Sequence, residues 1–106
     1  MSGMVDFAKV QQELEEFWDL PDGYFYLLRQ GYYDPMGAAA VEAVLLSIGI
    51  EEEMALPRRF VALTWWIPTF MEWQIERVGQ QGGDSEALAR DIVRIRNALE
   101  KVLGVP

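Results

Sequence analysis

The sequence contains no cysteine and no histidine. The first absence excludes disulfides, thiolate metal sites and cysteine nucleophiles. The second removes the commonest general base and the commonest metal ligand, and with them every hydrolase triad built on histidine. The hydroxyls of Ser2, Ser47, Ser85, Thr64 and Thr69 therefore have no base of the usual kind. No glycine-rich phosphate loop, Walker pattern or dinucleotide fingerprint occurs. No apolar run reaches the roughly 20 residues of a membrane span. The longest stretch, from Ala38 to Ile50, is interrupted by Glu42 and Gly49. Met1 to Asp6 lacks a basic cluster followed by an apolar run, so no secretory signal is expected and a soluble cytoplasmic protein is the reading.

What is present is a chain of 106 residues, 51% hydrophobic and 25% charged, which is globular composition for a single domain over residues 1–106. Its net charge of −8 is unevenly spread. Residues 1–56 hold 11 acids and 2 bases, a net of −9, and residues 57–106 hold 6 acids and 7 bases, a net of +1. A concentrated negative charge disfavours direct contact with nucleic-acid phosphates and favours a basic protein partner. The plain alternative is solubility alone.

Hydrophobic spacing predicts a compact all-α bundle of four to five helices. Phe7, Val10, Leu14, Phe17 and Trp18 share one face of a helix from Asp6 to Asp19, stopped by Leu20-Pro21-Asp22-Gly23. Tyr24 to Gln30 is aromatic enough for a strand, yet no partner strand is visible, so a short helix ended by Gly31 is preferred. Asp34-Pro35 opens a helix to Ile48 that is apolar nearly all round and is expected at the centre, closed by a left-handed Gly49. From Pro57 to Val78, Phe60, Leu63, Ile67, Phe70, Met71 and Val78 share a face, and Pro68 must kink that helix or split it. Gly79 to Gly83 reads as a flexible linker. Leu88, Ile92, Ile95, Leu99 and Val102 mark a last helix capped by Asp84 or Ser85, with Glu86–Arg90 and Arg96–Glu100 as exposed pairs.

Several constellations carry possible chemistry. Glu42, Glu72 and Glu76 would make a carboxylate site for Mg or Mn if the fold gathered them; otherwise Glu72 and Glu76 are solvated and Glu42 pairs with an arginine such as Arg29 or Arg77. Trp65 and Trp66 lie about 100° apart on a helix and cannot both enter one core. Either one of them offers an exposed aromatic surface or lines a groove at the kink, or the kinked helix is buried on two sides. Tyr24, Phe25, Tyr26, Tyr32 and Tyr33 are flanked by Asp19, Asp22 and Asp34, and a ring beside a carboxylate is a receptor for Arg or Lys; the plain alternative is ordinary loop packing. Arg58 and Arg59 at a helix start would be neutralised by Glu51, Glu52 and Glu53 or would meet a phosphate.

The small, acidic, all-helical, histidine-free profile resembles in type that of bacterial inhibitor and immunity proteins and of phage-encoded inhibitors. This likeness rests on no motif. The sequence thus points to a non-enzymatic interaction protein, without cofactor or metal, that binds a basic protein surface. The expected contact residues are Asp19, Asp22, Tyr24, Tyr26, Tyr32, Tyr33, Asp34, Glu51, Glu52, Glu53, Trp65 and Trp66. A homo-oligomer or subunit of a larger assembly is the alternative, because apolar residues around Pro35 to Ile48 and Phe60 to Val78 exceed what so small a core needs. A carboxylate-metal enzyme is the third reading.

Overall fold

Asp6 opens the first helix, α1 (Phe7–Asp19), by accepting the Lys9 amide at 3.1 Å. The computed structural model describes residues 5–49 and 54–106. Along α1, Val10 and Leu14 are buried, and Phe7, Phe17 and Trp18 pack half-buried against the core. The chain then turns at Gly23, where a side chain would meet the Glu16 and Phe17 carbonyl oxygens at 2.4 and 2.5 Å.

The aromatic run is helical: α2 spans Tyr24–Arg29, and no strand occurs among the described residues. Its end is a Schellman turn. Gly31 takes a φ of 85°, its amide donates to Leu28, and the Tyr32 amide reaches back to Leu27.

Asp34 does not cap the next helix directly: it accepts the Met36 amide at 3.0 Å in a turn, and the helix begins at Gly37, two residues after Pro35. That helix, α3 (Gly37–Leu46), departs from expectation in two further ways. It is not buried all round. Gly37, Ala38, Val41 and Leu45 face inward, whereas Ala39, Ala40, Ala43 and Leu46 are exposed. It packs on α1 and α6 and leaves its outer side to water, which costs little because the outer side chains are mostly alanine. Its end also lacks a left-handed glycine, since Gly49 does not take a positive φ. Instead the Ser47 hydroxyl donates to the Val44 carbonyl at 2.6 Å.

The proline divides its helix. α4 (Arg58–Thr64) stops and α5 (Ile67–Gln80) starts after the two intervening residues Trp65 and Trp66, with Pro68 in the first turn of α5. Proline has no N–H to give and its ring crowds the carbonyl four residues back, which is that of Thr64. The buried Thr64 hydroxyl donates back to Phe60 at 3.0 Å. All six apolar residues predicted for this face are buried.

A tight turn through Gly82, with φ of 81°, leads into α6 (Ser85–Leu103), so the glycine-rich linker is short. Asp84 accepts the Ala87 amide at 2.9 Å and Gly104 ends the helix. The predicted inward stripe of α6 is buried throughout. Its arginines, however, pair across helices: Arg94 meets Glu42 of α3 at 3.6 Å, and Arg96 meets Glu72 of α5. Among the described residues these replace the within-helix pairing of Arg96 with Glu100.

The four longer helices make a closed circuit in which α1 packs on α3, α3 on α6 and α6 on α5. The short α2 bridges α5 back to α1, and α4 lies on α1. One apolar core fills the circuit. No helix among the described residues is long and apolar enough to cross a membrane.

Candidate functional site

Glu13 and Glu16 stand three apart on α1, so they share a side of the helix. That side faces the start of α3. Between them runs a cleft of about 390 Å³ whose rim also carries Asp22 and Asp34. Four acidic residues thus line one cleft. The floor is apolar and partly backbone: Phe17, Gly23, the Tyr24 ring and Gly37. Leu20, Met36 and Ala40 form the lip, and Met36 is 74% exposed. A β-carbon on Gly37 would stand 2.1 Å from Tyr24 Cδ1, so the ring lies directly on the α3 backbone.

The acidic surface continues over α1. A shallow groove of about 200 Å³ is formed by Gln12, Glu15, Glu16, Asp19 and Leu20, sharing Glu16 and Leu20 with the cleft. Asp19 in turn borders a third hollow, about 380 Å³, walled by Trp18, Trp65 and Trp66. Two arginines, Arg29 and Arg59, stand at its mouth. Arg59 is held by Glu15 at 3.5 Å, and the Arg29 guanidinium lies 5.6 Å above the Phe70 ring.

The expected contact residues therefore divide. Asp22 and Asp34 line the cleft, Asp19 lies on the acidic band, and Trp65 and Trp66 lie in the tryptophan hollow. Tyr32 is 60% exposed and Tyr26 half-buried. Tyr24 needs correction: it is 2% exposed and belongs to the core, because its place on α2 turns the ring inward against Phe25 and Gly37. Tyr33 is half-buried, and its hydroxyl is committed to the Asp91 carboxylate of α6. Burial first, and Asp91 second, hold both the Tyr24 and Tyr33 hydroxyls in the protonated state well above the usual tyrosine range. Glu51, Glu52 and Glu53 lie outside the described residues.

No protein-family model matches the chain, and neither a curated protein nor a solved structure matches it. What the site does must be read from its own residues.

Glu13 and Glu16 lie off the apolar face of Phe7, Val10, Leu14, Phe17 and Trp18, and the sequence reading placed neither of them in a site. Their spacing of three, with Leu20 four residues beyond Glu16, was the available signal. The three glutamates considered as a metal site are not assembled. Glu42 and Glu72 pair with arginines, and Glu76 accepts from Gln80 at 3.2 Å. Among the described residues no group of three or more acidic side chains is placed to hold an ion. Glu42 is paired as the plainer reading had it, with Arg94 in place of Arg29 or Arg77.

Proposed function

We propose that this protein is a small acidic interaction module, of the inhibitor, immunity or adaptor kind, that takes a basic segment of another protein into the cleft between α1 and α3. The observation that carries this reading is the ring of Glu13, Glu16, Asp22 and Asp34 around an apolar floor. An arginine or lysine is amphipathic in the same sense. Its stem lies along Leu20, Met36 and Ala40 while its head meets carboxylates through charge-assisted hydrogen bonds. The band of Glu15 and Asp19 extends the same field along α1 and steers a basic partner towards the cleft. In an inhibitor of a nuclease these carboxylates would occupy the places of substrate phosphates. The module transforms nothing itself, and its affinity derives from fit and charge.

The test uses a nine-residue arginine peptide as probe and amide chemical shifts as readout. Shifts confined to α1, residues 22–24 and the start of α3 are expected. The double variant Glu13→Lys, Glu16→Lys should weaken binding by about tenfold or more, and raising salt should weaken it further. A control pair, Glu86→Lys with Glu100→Lys, carries the same charge change on α6. Equal weakening by both pairs, or shifts spread over the whole surface, would reject the reading.

A further inference from the structure

Three indoles form a row at the break between α4 and α5. Trp66 stands in the middle, with its ring centre 5.2 Å from Trp65 and 5.0 Å from Trp73, both contacts edge to face. The middle ring is half-buried, but Trp65 is 58% exposed and Trp73 is 65% exposed. Adjacent wet indoles are the largest apolar groups a chain can present, and such a patch marks a contact surface. The hollow beside Trp65 and Trp66 has charges of both signs around it: Asp19 with Glu15 on one hand, Arg29 and Arg59 on the other.

That combination identifies the occupant. A two-fold contact between identical chains sets one patch against itself, so its rim must complement itself. A rim of one sign would repel its own copy, whereas an apolar centre with mixed charges around it does not. We propose that two copies of this chain associate through Trp65, Trp66 and Trp73, with Asp19 of one copy meeting Arg29 of its partner while Arg59 and Glu15 stay paired within each copy. The four exposed indoles of such a pair supply on the order of 600 Å². This is well under half of the roughly 1,600 Å² that a standard stable interface buries, so the dimer is weak and concentration-dependent. The patch shares no lining residue with the acidic cleft, and it meets the partner reading only at Asp19 and Glu15 of the band beside that cleft.

Sedimentation of the whole chain between about 1 µM and 1 mM tests it. Its mass should rise from 12.1 kDa towards twice that value, while the indole emission moves to shorter wavelength. Trp73→Glu and Trp65→Glu each change an exposed side chain. Either should hold the mass at 12.1 kDa with helix content unchanged. Val93→Glu, an equally exposed apolar change on α6, should dimerise as the native chain does. Glu13→Lys with Glu16→Lys should leave the dimer in place even if it abolishes peptide binding. A native mass of 12.1 kDa at every concentration overturns the proposal, as does a dimer that survives both tryptophan variants.

Discussion

The hydroxyl of Tyr33 donates to the carboxylate of Asp91, joining residues 58 positions apart in the chain. Asp91 is a buried carboxylate on the inward side of α6, and Tyr33 is the donor that satisfies it. The bond fixes the segment between α2 and α3 to the longest helix. Through that segment it also sets where Asp34 stands on the rim of the acidic cleft.

Tyr33→Phe removes the donor and leaves the acid in place. A buried acceptor without its partner costs about 1–3 kcal/mol. Urea denaturation should show a loss of that size with an unchanged slope. Adding Asp91→Asn, which replaces the charge with a neutral group, should recover part of it.

Alkali should destabilise the fold earlier than it would if the tyrosines were exposed. Tyr24 and Tyr33 both have hydroxyl pKa values raised above the ordinary 10.0, by burial and then by Asp91. Below pH 10 both states hold these protons and stability is complete. Above it the unfolded chain releases them first, so stability falls as pH rises. Unfolding midpoints measured from pH 8 to pH 11 check this, the fall being expected above about pH 10. Tyr24→Phe should make the decline shallower.

Gly37→Ala should damage the cleft floor. The added carbon would stand 2.1 Å from Tyr24 Cδ1, and the ring, packed in the core, has little room to yield. Overpacking of this kind costs about 1–3 kcal/mol. At Gly49 an added carbon meets none of the described residues within 4 Å, so Gly49→Ala should leave the thermal midpoint unchanged or raise stability by up to about 1 kcal/mol. The pair of melting curves separates close packing from loss of glycine in general.

Asp84→Ala should cost about 1 kcal/mol, because the Ala87 amide loses its cap at the start of α6. Arg96→Ala should cost less, about 0–1 kcal/mol, since Arg96 and Glu72 are both near half exposed and water replaces the pair. Thermal melts of the two variants give the comparison.

Most of the helices were legible because periodicity is local. The stripe from Leu88 to Val102 and the face from Phe60 to Val78 depend only on spacing, and both are buried. The split at Pro68 follows from the chemistry of one residue. The sidedness of α3 was not legible, for an alanine-rich helix carries almost no record of which side meets a neighbour. The inward turn of Tyr24 was hidden for a related reason: six residues of α2 are too few to define a face without knowing that Gly37 opposes it. The cleft was only half legible. Asp22 and Asp34 were evident as acids near rings, but Glu13 and Glu16 joined them only once α1 was laid beside α3.

Because Gly23 and Gly37 bring main chain to the bottom of that depression, its shape depends little on neighbouring substitutions, while the carboxylates above it hold up no part of the core. Residues 13, 16 and 22 can therefore be exchanged for other polar groups without refolding the scaffold, whereas Asp34 also accepts the Met36 amide ahead of α3 and needs a side chain that keeps that bond. A lineage or an engineer could redirect the molecule to a new target by editing three positions and leaving the rest of the chain alone.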